Sequence, residues 1–190
     1  QGELEVELYN DYNLVNASDD HTFTSKHQVE LEYGLTDHLQ LAVYEVATWD
    51  RTKDWEHDEV KLEAKGRFAE AGQWPLDVAV YGEYINPNGP RDVSSDEVET
   101  KLILGKILGP WGLISNVIAE RKINTHADWK LAYTAGVSYA LSPRTKLGLE
   151  FKDELGALDD LGNRASRKMQ LLPGIYTSPT SNVRLLFGPA

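Results

Sequence analysis

In the stretch EVKLEAKGRF, Glu59, Lys61, Glu63, Lys65 and Arg67 take alternate positions, and Val60, Leu62, Ala64, Gly66 and Phe68 fill the positions between. In an extended chain successive side chains point to opposite faces, so this stretch sets five charges against apolar or small groups. A helix competes for the same residues, because Lys61–Lys65 and Glu63–Arg67 are i,i+4 neighbours and Glu, Lys, Leu and Ala are good helix formers. A row of interleaved charges supports one of two things. It selects small polar solutes or ions by sign and radius, or it forms a mutual salt-bridge network that fills the space it faces.

Candidates for catalysis and metal binding are sparse. Glu97 and Glu99 share a face about 7 Å apart in a strand, but acid–base work also needs a cleft. Ser25 and His27 share the apolar parity of their segment, which argues against a site built from serine, histidine and an acid. His21, His27, His38, His57 and His126 fall mostly at loops or strand ends, with no metal-ligand spacing. Asp19-Asp20-His21, Asp54 to Asp58 and Asp159-Asp160 could attract divalent cations, yet none fits the calcium-loop pattern. Asn16-Ala17-Ser18 is a glycosylation sequon by pattern only, and no G-x-S-x-G, P-loop or dinucleotide fingerprint is present. The sequence therefore leads us to expect no enzyme, no cofactor and no metal.

The composition narrows the setting. The chain has 190 residues, a formal net charge of −11 and a pI near 4.9, which argues against nucleic acid, a ligand that wants a basic stripe. It has no cysteine, hence no disulfide framework and no thiolate chemistry. A start at Gln1 suggests a mature form whose signal peptide was removed. No run of 18 apolar residues forms a transmembrane helix, although spanning strands alternate and hide from hydropathy. One domain over 1–190 is expected.

The elements that position these residues repeat with period two. Alternating segments are read at 3–13, 22–33, 38–49, 59–68, 74–84, 96–107, 111–123, 128–140, 145–153, 168–177 and 182–188. Glu45 is a misfit on the apolar parity of its segment. Eleven such segments favour antiparallel sheet throughout, and the helix alternative for 59–68 loses to its context. Short turn-like links fall at Gly34–Asp37, Ala71–Gln73, Leu108–Pro110, Leu141–Arg144 and Ser178–Ser181. Longer polar links fall at Asn13–His21, Asp50–Asp58, Asn86–Asp96, Lys122–Ala127 and Asp153–Arg167. Short on one side and long on the other is the pattern of an up-and-down transmembrane barrel.

Aromatic residues orient the faces. Phe23 and Tyr33, Trp74 and Tyr84, and Trp129 and Tyr139 are each ten residues apart on the apolar parity. Ten tilted strand residues rise about 25 Å, the height of an outer-membrane apolar band with a girdle at each edge. Tyr33, Phe68, Trp74, Trp111 and Tyr139 are expected at the short-turn end. Tyr12, Phe23, Trp49, Tyr84, Trp129 and Phe151 are expected at the long-loop end.

EYGLTDHLQLAVYE (32–45) resembles the strand, Gly-x-Thr-Asp turn and strand of periplasmic hairpins in Gram-negative outer-membrane β-barrel proteins, and LGPWGLISNV (108–117) resembles another. The resemblance implies an outer-membrane location, a lipid bilayer as partner and an even strand number, so that twelve strands are favoured, ten are possible and eleven are read. It turns the charged parity toward a lumen lined by Glu3, Glu5, Glu7, Lys26, Glu30, Glu32, Lys61, Glu63, Lys65, Arg67, Asp77, Glu83, Glu97, Glu99, Lys101, Glu120, Lys130, Glu150, Lys152 and Arg184. Ala132, Thr134, Gly136, Ser138 and Ala140 give that lumen one wall of small groups. The expected function is passive passage of small polar solutes or ions. The rivals are a plugged scaffold that binds protein partners through its long loops, a soluble calyx with its apolar face inward and, last, an outer-membrane enzyme, which needs a clustered rim site that the sequence does not display.

Overall fold

The computed structural model describes residues 2–14, 23–50, 53–88, 95–123, 126–161, 163 and 167–188. Eleven strands coincide with the eleven alternating segments: β1 (Leu4–Leu14), β2 (Phe23–Gly34), β3 (Leu39–Asp50), β4 (Lys53–Arg67), β5 (Asp77–Pro87), β6 (Glu97–Leu108), β7 (Trp111–Lys122), β8 (Lys130–Ser142), β9 (Thr145–Ala157), β10 (Lys168–Thr180) and β11 (Val183–Phe187). They form one sheet in sequence order, each hydrogen-bonded to its neighbours in the chain. The fold is all-β, antiparallel and up-and-down. Among the described residues the one other regular element is a 3₁₀ turn at Leu158–Asp160. A twelfth strand is not among the described residues.

The chain divides into two compact units. The first takes residues 1–66, 81–99 and 122–127. Within it β1 runs against β2 from Leu4 opposite Tyr33 to Leu14 opposite Phe23, and β2 runs against β3 from Gly34 opposite Gln40 to Thr24 opposite Asp50. β3 pairs with β4 from Leu39 opposite Gly66, and the register shifts between Val46 and Ala47. The second unit takes residues 67–80, 100–121 and 128–190. There β8 lies between β7 and β9, and β10 between β9 and β11.

Burial is inverted relative to a water-soluble domain. In the first unit Leu4, Val6, Leu8, Leu31, Leu41, Val43 and Leu62 are exposed, whereas Glu30, Glu63 and Glu83 are buried. In the second, Leu113, Val117, Leu147, Leu149, Leu171 and Ile175 are exposed and Thr134 is buried. Among the described residues only Ala42, Tyr44, Val46 and Ile118 are buried hydrophobic side chains. This is the arrangement of the outer-membrane β-barrel class, whose outward strand positions are apolar. A calyx requires the opposite one.

Three connections differ from the sequence reading; in one, the link expected at Asp153–Arg167, β9 runs on to Ala157. The polar link expected at Asp50–Asp58 is largely strand, because β4 already begins at Lys53. Thr48 donates its hydroxyl to Asp58 and the Asn88 amide donates to the Asp58 carbonyl at 2.7 Å, which hold this polar stretch in extended form. Conversely, residues 68–76 form no strand, so Trp74 and Leu76 precede β5. Pro75 has no amide for a ladder, and the turn before it is held by Gly72 N donating to Asp77 Oδ1 at 2.6 Å, with Gly72 at φ 81°. The positive φ suits glycine.

Candidate functional site

The charged face of the first unit is the candidate site. The register places Glu30 opposite Tyr44 and Tyr44 opposite Lys61; one pair along, Glu32 faces Ala42 and Ala42 faces Glu63. Ala42 is short, and the space above it admits the long Lys65 side chain. The Lys65 ammonium lies 3.4 Å from Glu63 Oε1 and 3.6 Å from Glu32 Oε2. Tyr44 donates its hydroxyl to Glu63 Oε2. A second row runs from Lys26 to Glu59 at 3.1 Å, Glu59 to Lys61 at 3.5 Å and Lys61 to Glu83 at 3.5 Å. Tyr81 donates to Glu83, and Tyr9 donates to Glu7.

Glu30 is 3 % exposed and Glu63 5 %. A buried carboxylate is costly unless it is paired and hydrogen-bonded; for Glu63 the Lys65 ammonium and the Tyr44 hydroxyl meet part of that need, and its Oε1 accepts no hydrogen bond. Carboxylate oxygens of Glu30, Glu32 and Glu63 come within 4.8 Å of one another, close enough to hold a cation. The Lys65 ammonium already supplies positive charge at that place. The arrangement presents both signs side by side.

The remaining predicted residues are placed as follows. Glu5 and Glu7 are half-buried on β1, and Glu3, which precedes it, is exposed. Glu97, Glu99 and Lys101 are half-buried on β6, and Arg184 is exposed on β11. Asp77 serves the turn at Gly72, and Arg67 pairs with Glu70 at 2.9 Å near that same turn. In the second unit Lys130 pairs with Glu120 at 3.4 Å and Lys152 with Glu154 at 3.1 Å, while Glu150 is half-buried.

The wall of small groups on β8 is present, but neighbours lean into it. A Cβ on Gly136 would meet the Ile114 methyl at 2.8 Å, and one on Gly112 would meet Ser138 Oγ at 2.7 Å. Gly148 on β9 likewise lies under the Tyr176 ring. Thr134 accepts from Asn116 Nδ2 at 2.8 Å.

Of the expected girdle residues, Tyr33, Phe68, Trp74, Trp111 and Tyr139 are exposed, with Trp111 and Tyr139 in edge contact at 4.7 Å. Phe68 and Trp74 sit in the 68–76 connection. At the other end Tyr12 and Tyr84 are exposed, and Trp49, Trp129 and Phe151 are half-buried. Trp129 precedes β8 and takes the Arg121 guanidinium at 6.0 Å. The orientation expected of Phe23 lies outside the described residues, as do Asn16, Asp19, Asp20, His21 and Asp54 as candidate ligands or acceptors.

One polar group was not visible in the sequence as a group. The register shift on β4 changes which parity faces outward, so that His57 comes opposite Ala47, level with the apolar face. There His57 Nε2 lies 2.5 Å from Glu45 Oε1, which explains the misfit glutamate. On the same face His27 stands between Asn10 and Ser25, with Nδ1 2.7 Å from Asn10 Oδ1 and Nε2 2.9 Å from Ser25 Oγ. The pattern of Ser25 and His27 was legible, but Asn10 is joined to them only by pairing across strands.

No family model matches the chain, and none of the curated proteins matches it. Among solved structures, it is similar to the translocator domain of autotransporter NalP from Neisseria meningitidis, with 11% identity, a TM-score of 0.44 and coverage of 98% of this chain and 81% of that one. It is also similar to a multiply substituted mutant of Rh. blastica porin, with 10% identity, a TM-score of 0.35 and coverage of 97% and 93%.

Proposed function

We propose that the chain is an outer-membrane barrel protein whose charged face lines a path for small polar solutes or ions. The observation that carries this is the inversion of burial along β1 to β4: exposed leucines and valines on one parity, paired carboxylates and lysines on the other. Backbone in lipid must find its partners within a sheet, and strands that alternate apolar and polar meet that demand with a wet inner side. Of the twenty charged positions assigned to the lumen from sequence, twelve are carboxylates and eight are cationic. An acidic excess favours cations over anions.

The dense pairing around Lys65 supports a second reading, a filled barrel that serves as a scaffold. Conductance separates the two. Detergent-purified protein in a planar bilayer is expected to give cation-preferring steps, and the triple variant Lys61→Glu, Lys65→Glu, Arg67→Glu a stronger cation preference. Silence from correctly inserted protein would exclude an open path and leave the scaffold.

A further inference from the structure

Asn10, Ser25 and His27 lie on the apolar face of the first unit and take no part in the charged wall. The β1–β2 register sets Asn10 opposite His27 and Tyr12 opposite Ser25. His27 Nδ1 is 2.7 Å from Asn10 Oδ1, and an amide oxygen only accepts, so the proton sits on Nδ1. This leaves the Nε2 lone pair toward Ser25 Oγ, 2.9 Å away. A nucleophile bonded to a base, with a third group that fixes the tautomer and orientation of that base, is the arrangement by which an enzyme activates serine.

We propose that Ser25, His27 and Asn10 are the nucleophile, base and orienting residue of a relay that hydrolyses acyl esters of membrane lipids at the outward surface of the sheet. Depth is the first support. Ser25 is eight residues from Tyr33 along β2, a rise of about 20 Å for a tilted strand, near the far edge of an apolar band about 25 Å tall. Lipid ester groups lie at that boundary between hydrocarbon and headgroup. The surroundings are the second. Tyr12 and Trp49 stand directly opposite Ser25 on the flanking strands. The His27 ring meets Tyr12 edge-on at 6.1 Å and Trp55 at 4.8 Å, giving an acyl chain aromatic surface to lie on. The third is the register shift in β4, since such bulges re-aim side chains beside active sites.

Ser25 is 3 % exposed. Water is thereby kept from its hydrogen bond to His27. In the first step Ser25 Oγ bonds to the ester carbonyl carbon and passes its proton to His27 Nε2. The ester C–O bond then breaks, and His27 returns the proton to the departing alcohol. Water next attacks the acyl-serine, gives its proton to His27, and releases a fatty acid as Ser25 regains its hydrogen. Ester and water are consumed, and alcohol and acid appear.

The assignment rests on the apolar face meeting lipid, and not on solute passage. The test uses the full chain in detergent micelles, with its folded state checked by circular dichroism, and a fluorophosphonate probe followed by mass spectrometry. Folded wild type is expected to carry the adduct on Ser25, and Ser25→Ala to carry none. Asn10→Ala is expected to slow labelling at least about tenfold, with Asn10→Asp restoring most of the rate, a rescue that a purely structural role would not give. Absence of the adduct on folded wild type, or equal labelling of Ser25→Ala, would overturn the relay. Phospholipid hydrolysis by protein reconstituted into vesicles tests the substrate; labelling without hydrolysis would overturn the lipid ester. Labelling in micelles by protein that cannot insert into vesicles would instead overturn the membrane reading and leave the relay standing.

Discussion

At the scale of single residues, Lys65 is the keystone of the charged wall. It faces Glu32 and Glu63, and Glu63 is 5 % exposed with one oxygen that accepts no hydrogen bond. Lys65→Met keeps most of the side-chain volume and removes the charge. Breaking a fully buried pair costs about 3–5 kcal/mol, because the remaining charge is left unpaired. About a third of the Lys65 side chain remains exposed, so a loss of about 1–3 kcal/mol is expected in urea unfolding from micelles. Adding Glu63→Gln removes the orphaned carboxylate, and the double variant is expected to recover part of that loss. Additive losses would show that Lys65 and Glu63 are independent. The sequence displayed this row as five alternating charges, and it showed which of them share a face. It did not show that Ala42 makes the room in which Lys65 bridges two strands, since that depends on which residues the register brings opposite one another.

At the scale of elements, Asp96, just before β6, is held to the end of β5 by two side chains. Tyr84 Oη donates to Asp96 Oδ2 at 2.6 Å and Asn86 Nδ2 donates to Asp96 Oδ1 at 2.7 Å. These two donors hold the Asp96 pKa below the ordinary carboxylate value. The sign follows directly. A depressed carboxylate contributes stability above its unfolded pKa, and the contribution is lost as pH falls through the lower folded value. A carbonyl-carbon NMR titration of Asp96 is expected to give a midpoint below that of an unfolded-chain aspartate, and Tyr84→Phe is expected to move it upward. A midpoint unchanged by Tyr84→Phe would mean that the clasp is absent in solution. Strand existence was plain from period-two patterning, and all eleven strands fall where it indicated. Ends were less legible. Trp74 and Leu76 keep the alternation but flank a proline that cannot join a ladder, whereas polar residues before Asp58 extend as strand because a bulge and a pairing partner hold them. Apolar spacing reports which face a residue takes and not how far a ladder runs.

At the scale of the whole molecule, the distribution of apolar surface makes a membrane prediction that does not depend on any site. Leu41 is 41 % exposed on β3, with Tyr33 and Ala64 as its cross-strand neighbours, and Tyr44 and Val46 on the opposite parity of the same strand are buried. In water an exposed leucine tolerates arginine within about ±0.5 kcal/mol. On the lipid face of a transmembrane strand the same change costs about 2–4 kcal/mol at the bilayer midplane and about 0–1 near an interface. Leu41 pairs with the short-turn girdle residue Tyr33, so Leu41→Arg is expected toward the lower end of that range. Val43 and Leu62, opposite one another and farther along the strands, should cost more as arginine. Equilibrium refolding into lipid vesicles, compared across Leu41→Arg, Val43→Arg and Leu62→Arg, should therefore return a penalty that grows with distance from Tyr33. A flat series near zero would place this face in water and remove the basis for both the solute path and the lipid ester as substrate. A graded series would fix the depth scale along β2 to β4, and with it the level at which Ser25 stands.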